Sequence, residues 1–320
     1  MAETRIILKK VNKSSKYPQG YFKMLKTDFK RNKYIYMMAI PVVIYYLIFH
    51  YKPMYGALIA FQTYIPTNPA ASPWVGFKNF EIFFHSFYFW RVIKNTLTIS
   101  VLELLWGFPA PILLALLLNE IRSKYFKSVV QTLTYLPYFI SLVVICGMIT
   151  DFTNSNGIIN DIIVFFGGTR VALLQSAALF RPIYIISGIW QSIGFDSIIY
   201  LAALAAIDTA QYEAASIDGA GRLQRMIHVT LPGILTTIVI LLVLRMGRML
   251  NVGFEKIILL YNPATYSTAD VISSYVYRMG LQQFNYSLSS AVGLFNSVIN
   301  FVLIILANRL SNKISGTGLW

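Results

Sequence analysis

Few side chains in this 320-residue chain are placed to do chemistry, and three of them sit where charge is costly. Asp196, Arg245 and Arg248 interrupt long apolar runs. A charge at bilayer depth costs about 2.5–3.5 kcal/mol on insertion scales, so it normally faces a bundle interior or a cavity. Arg245 and Arg248 are three residues apart, the spacing of one helix face. Counted from Pro232 at ~1.5 Å per residue, Arg245 lies roughly 20 Å along a helix and Arg248 higher. Two readings follow: the arginines line a path for an anionic solute, or Arg245 pairs with Asp196 or a carbonyl and Arg248 reaches outward to the headgroups. Trp190, Gln191, Tyr261, Asn262, Tyr275, Tyr277, Gln282 and Gln283 mix aromatic faces with amides. Such mixtures suit sugar rings, whose C–H faces stack and whose hydroxyls need partners; they also suit an interfacial aromatic belt.

Other chemistry finds no footing. No GxxxxGK[ST] is present, so the chain is not expected to bind ATP. His50, His85 and His228 are scattered without metal-ligand spacing, and no GxSxG occurs. The single cysteine, Cys146, excludes an intramolecular disulfide. No paired outer carboxylates support a glycosidase. The reading is therefore of a chain that is not an enzyme and binds no cofactor.

The elements that must position these residues are membrane spans. The chain is 56% hydrophobic, 15% aromatic and 12% charged, a polytopic helical profile. Six spans are predicted, near Tyr34–Tyr51, Val92–Leu118, Val129–Ile149, Pro182–Ile207, Gly233–Leu250 and Leu288–Ala307, the first close to the ~20 residues a bilayer requires. Pro41 is expected to kink the first, Pro109 and Pro111 to bend the second. WVGFKNFEIFF, beginning at Trp74, is expected as a short interfacial helix. Asp151–Arg181 and Asn251–Tyr286 read as outer segments. The net charge of +14 is unevenly spread: ten Lys or Arg fall in the first 33 residues, before the first span. That is the positive-inside pattern rather than a nucleic-acid footprint, with anionic lipid as a second attraction. Tyr21–Lys33 reads either as a surface amphipathic helix or as a disordered tail. The domain plan is a basic cytoplasmic segment over 1–33, a six-span domain over 34–310 and a tail over 311–320, both termini cytoplasmic, in the plasma membrane.

Between the fourth and fifth spans lies a polar loop, residues 208–232. It reads as a short helix, a glycine break, a second helix and a proline that opens the next span. Glu213-Ala214-Ala215, then Gly219, then Val229-Thr230-Leu231-Pro232 resemble the EAA signature of the membrane permeases of ATP-binding-cassette importers: E-A-A, three residues, G, nine residues, I-x-L-P. Val229 replaces the pattern's Ile. Gly76, Asn79 and Phe80 resemble a G-x-x-N-F stretch of sugar-type permeases. Asn251–Leu281 with the terminal Gly318-Leu319-Trp320 resembles the subgroup tied to polysaccharide breakdown products, including Gram-positive importers of pectin-type, rhamnogalacturonan-derived oligosaccharides.

The resemblance implies an all-α type I importer permease with six spans. It implies that Tyr212, Glu213, Ala214, Ala215, Ser216, Ile217, Asp218, Gly219, Ala220 and Gly221 form the element that couples to a separate ATPase. It implies a second, non-identical permease, two ATPase copies carrying ATP and Mg, an extracellular solute-binding lipoprotein, and an oligosaccharide as cargo. With that cargo, the anionic solute at Arg245, Arg248 and Asp196, with Trp190, Gln191 and Tyr275, would be a uronic-acid-bearing saccharide. Alternatives are a permease of the same superfamily for peptides, amino acids or ions, and an ion-coupled carrier, which would want an ionisable relay and a repeat between halves.

Overall fold

The computed structural model describes residues 28–315, most of them helical. The 21–27 part of the predicted Tyr21–Lys33 helix and Gly318-Leu319-Trp320 lie outside the described residues. The chain divides into two units, up to Gly56 and from Ala57 onward. In the first, the helix Lys33–Tyr46 runs through Pro41 without ending and buries none of its side chains. A wide turn follows over Leu47–Tyr51, where the Lys52 N–H reaches back five residues to the Leu47 carbonyl.

Lys33–Phe61, Phe89–Glu120, Leu142–Phe165, Ala177–Ala205 and Tyr286–Lys313 are long and apolar enough to cross a membrane. A bent pair, Arg222–Gly233 and Leu235–Met246, makes a sixth if counted as one span. We refer to these in chain order as the first to sixth spans, with the bent pair as the fifth. All but the first lie wholly in the second unit.

The second span shows how sequence sets local form. Pro109 and Pro111 have no N–H to donate, so a regular ladder cannot pass them. The helix widens just before them, over Glu103–Gly107, with the Phe108 N–H on the Glu103 carbonyl, and restarts with Pro109 in its first turn. The third span departs from the expected Val129–Ile149. Lys124–Tyr135 is a helix of its own, a tight turn follows over Leu136–Phe139 at Pro137, and a new helix starts at Leu142. Ser141 caps that helix by accepting from the Val144 N–H. Part of the expected outer segment, up to Phe165, belongs to this span. Gly194 of the fourth span lets Lys124–Tyr135 come close: a Cβ there would stand 2.2 Å from the Thr134 carbonyl oxygen.

The fifth span bends by 59° just after Pro232 and Gly233. Its helix ends at Met246, four residues before the expected Leu250. The interval 251–286 is no solvated loop either. Val252, Ile257, Leu260 and Val271 are buried with Ile99, Ile145, Phe180 and Tyr184 of the second, third and fourth spans. Ile272, Tyr275 and Met279 pack with Phe83, Val92, Leu288 and Val292. A third cluster, Ile112, Leu116, Tyr200, Leu204 and Ile234, lies toward the end that carries the 208–232 loop.

A buried ion cluster pins the 251–286 insertion. Asp270 is fully buried and takes guanidinium hydrogen bonds from Arg91 at 2.9 Å and from Arg278 at 3.1 and 2.8 Å. Ser274 donates its hydroxyl to the same carboxylate. Burial pulls the Arg278 pKa down, but the hydrogen bond and charge of Asp270 outweigh it and the net shift is upward. Asn95 donates to the carbonyls of Ser267 and Asp270 and accepts from Arg181. The second span, the fourth span and the insertion thus share one network. Removing the charge of a buried pair leaves its partners uncompensated, at a cost of about 3–5 kcal/mol. Asp270→Asn is therefore expected to lower the thermal inactivation temperature of the detergent-purified protein by several degrees, whereas Asp161→Asn, at an exposed pair with Arg170, should leave it within about a degree.

Candidate functional site

Two places carry polar residues that the core does not absorb. The first is the loop after the fourth span. Asp208 caps a helix over Thr209–Ile217, its carboxylate accepting from the Ala210 N–H at 3.0 Å. The helix stops at Gly219, whose φ is +78°. The Gly219 N–H donates to Ser216 and the Ala220 N–H to Ala215, a paired closure that only a left-handed residue permits. A Cβ on Gly219 would meet no atom within 4 Å, so φ alone demands glycine there. Gly221 then opens a one-turn helix, Arg222–Arg225, its N–H donating to Gln224 Oε1.

This loop is tied to the fifth span through side chains. Tyr212 donates its hydroxyl to Thr230 Oγ1 at 3.1 Å, and Thr230 is buried in a widened turn over Met226–Thr230. Arg225 donates to Ser216 Oγ, which itself donates to the Tyr212 carbonyl. Ala215, Asp218, Gly219, Ala220, Gln224, Arg225, His228 and Val229 line a cleft of about 280 Å³ between the two short helices. Glu213, Ala214 and Ile217 are exposed, and Ile217 and Leu223 stay 86% and 64% open. The loop is thus an internally braced knuckle whose apolar side chains Ile217 and Leu223 stay exposed.

The second place is a charged wall between two cavities. Asp196, Arg245 and Arg248 line one of about 520 Å³ together with Gly107, Pro111 and Leu241. On its other side the same two arginines meet Ser100, Glu103 and Asn251 around about 210 Å³. Arg245 is half-buried and electrostatically coupled to both Asp196 and Glu103. Neither arginine makes an ion pair or a side-chain hydrogen bond among the described residues. The expected Arg245–Asp196 contact pair is absent among those residues. The two arginines also do not share a helix face: Arg245 is in the last turn of Leu235–Met246, and Arg248 follows in the turn beyond it. They converge because the chain turns, not because of helical spacing.

The other expected positions are not brought to this wall. Trp190 lines a separate apolar cavity of about 460 Å³ with Met148, Phe152 and Ile186. Gln191 is half-buried beside it in sequence. Tyr275 is 2% exposed in the core, its ring 5.8 Å from Phe83. Sequence reasoning passed over Glu103 and Lys256. Glu103 carried a signal, a carboxylate in an apolar run. Lys256 stood in what read as an outer segment. Its Nζ instead donates to the Tyr184 carbonyl at 2.9 Å and lies 4.7 Å from that ring's centre.

Comparison with known proteins matches residues 107–316 to the family described as binding-protein-dependent transport system inner membrane component. The polygalacturonan/rhamnogalacturonan transport system permease protein YteP of Bacillus subtilis (strain 168) is 46% identical over 292 residues, covering 91% of each chain. A crystal structure of a bacterial ABC transporter involved in the import of the acidic polysaccharide alginate contains a chain that is 49% identical. It superposes with a TM-score of 0.86 over 91% of this chain and 99% of its own. A second structure, of a bacterial alginate ABC transporter in complex with an alginate pentasaccharide-bound periplasmic protein, matches with the same identity and score over 92% and 99%.

The left-handed closure at Gly219 is open to a direct check. An L-residue with a Cβ pays about 1–2 kcal/mol in that conformation. Gly219→Ala should speed amide exchange at residues 219 and 220 by about fivefold or more. Exchange in Leu235–Met246 should not change.

Proposed function

The chain belongs to the binding-protein-dependent transport system inner membrane components, and we propose that within this family its Arg245–Arg248 wall passes an acidic oligosaccharide. It is a multi-pass plasma-membrane protein, the permease subunit of an ATP-binding-cassette importer for oligosaccharides. It works in a transporter complex that receives its cargo from a solute-binding protein. It is a transport subunit and not an enzyme.

The observation that carries the acidic reading is a pair of guanidiniums that line one cavity and, among the described residues, close no ion pair and no side-chain hydrogen bond. Leaving a cation unpaired at that depth is costly unless water or an anionic ligand meets it. Guanidinium forks match carboxylates in geometry as well as charge. Relatives at 46% and 49% identity handle polygalacturonan or rhamnogalacturonan and alginate, which supports the same class here. Asp196, on the same cavity, would keep the wall from holding a polyanion too firmly. Trp190 and Gln191 in the fourth span would serve a different stretch of the path. Tyr275 would act only from within the core.

The 208–232 knuckle supports a coupling role. Residues Tyr212 to Gly221 would seat in a separate ATPase, with Ile217 and Leu223 as apolar tips. Tyr212–Thr230 would carry the displacement into the bent fifth span, a two-state element biased by the nucleotide held by that partner. The full assembly would contain a second, non-identical permease, two ATPase copies and an extracellular binding lipoprotein. The lipid bilayer surrounds it, and nucleic acid has no part.

Two measurements test these readings in the reconstituted importer. Arg245→Gln should cut uptake of tetragalacturonate about tenfold or more, the value of one charge-assisted contact, while sugar-free ATPase activity stays unchanged. Full uptake by that variant would refute the acidic wall. Glu213→Lys should leave the complex assembled but abolish the rise in ATP hydrolysis that loaded binding protein causes. A normal rise would refute the coupling assignment.

A further inference from the structure

Glu103 has no role in the readings above. It sits midway along the second span, at the start of the widened turn Glu103–Gly107. Widened turns of this kind recur at functional sites, because they re-aim side chains that a regular helix would hold elsewhere. Here the turn places two residues against Arg245. Glu103 shares the smaller cavity with it, and Gly107 shares the larger one. Gly107 leaves room for the guanidinium: a Cβ there would stand 3.3 Å from Arg245 Nη2. Glu103 itself makes no ion pair and no side-chain hydrogen bond among the described residues. A carboxylate and a guanidinium therefore face the same cavity at membrane depth without closing on each other.

We propose that Glu103 is the chain's own competitor for Arg245, an internal carboxylate that displaces the sugar's carboxylate from the guanidinium and so sets how fast an acidic sugar leaves. The proposal rests on the reading that acidic sugar passes Arg245. Two guanidiniums with no competing carboxyl beside them would hold a polyanion long after it had been admitted. An anchored carboxylate beside one of them limits that grip in two ways. It repels the incoming carboxylate, and it offers the guanidinium an alternative partner as the sugar moves on. Asp196 lines the larger cavity with Arg245, so a carboxyl group shares each of the two cavities with the guanidinium. Conduction through any selective path needs such balance, with binding favourable enough to enter and weak enough to leave.

A purely structural role is the competing account. Lys256 is 7% exposed and electrostatically coupled to Glu103, so the carboxylate could simply offset a buried ammonium. The two accounts part in transport kinetics. The test is the complete importer in proteoliposomes, supplied with binding protein and either tetragalacturonate or the same chain with every carboxyl reduced to the alcohol. With Glu103→Gln, the half-saturating concentration for tetragalacturonate should fall about fivefold and its maximal uptake rate should fall with it. Sugar-free ATPase activity and uptake of the reduced chain should match wild type, and Glu103→Asp should restore most of the maximal rate. Equal losses for both chains, unchanged kinetics, or failure of the Glu103→Gln importer to assemble would each overturn the proposal. Arg245→Gln run alongside separates the failures. If that variant takes up tetragalacturonate normally, the acidic wall itself is wrong; if it does not, a wild-type Glu103→Gln defeats only the role given to Glu103.

Discussion

The buried carboxylate of Asp270 is the constraint on which the placement of the 251–286 insertion depends. It is fully enclosed, yet two guanidiniums and a hydroxyl meet it, from the second span at Arg91 and from its own segment at Arg278 and Ser274. Taking a charge out of water is offset only when geometry and extra hydrogen bonds are both good. That requirement dictates where residues 251–286 can lie: against Asn95, Arg181 and the ends of two spans, and nowhere else. Once they are held there, Val252, Ile257 and Leu260 fill the space among three spans as core.

The same fixation shapes the candidate path. Because the insertion folds back into the bundle, the fifth span stops at Met246 and the chain turns sharply. Ser100 of the second span donates to the Met249 carbonyl, and Asn300 of the sixth donates to Asn251 while accepting from the Leu250 N–H. Those contacts hold the turn that carries Arg248 beside Arg245. The wall is thus made of groups whose backbone is tied by hydrogen bonds but whose guanidiniums, among the described residues, close no ion pair. That combination suits a site that must be pre-organised yet exchange partners as cargo passes.

The opposite end is built differently. The 208–232 knuckle is braced within itself, but its link to the rest passes through Tyr212, Thr230 and a bend of 59°. A widened turn over Met226–Thr230 lies on that link, as another lies at Glu103–Gly107 beside Arg245. Widened turns occur elsewhere too, at Leu47–Tyr51 and Arg278–Gln282, so they accompany these two places without singling them out. Part of the knuckle's form was legible from residue types: Gly219 as a left-handed stop and Pro232 at a helix start each stand where expected, because each acts through its own backbone.

What the sequence by itself determined is of this local or compositional kind. Hydrophobic content and run length demanded a bundle of apolar helices, and the spacing from Glu213 to Pro232 was specific enough to indicate the family. What only the tertiary structure decided is which residues meet across the bundle. Arg245 and Arg248 were singled out, but their shared wall comes from a chain turn, and Glu103 joins it through an irregular turn that Pro109 makes necessary. Tyr275 read as an outer aromatic and proved to be core; Lys256 and Asp270 lie in a segment that read as outer and are buried. An apolar stretch announces itself through its own transfer free energy. A charge is tolerable in the interior only through partners distant in the chain, and linear order does not reveal which distant groups will come within hydrogen-bonding reach.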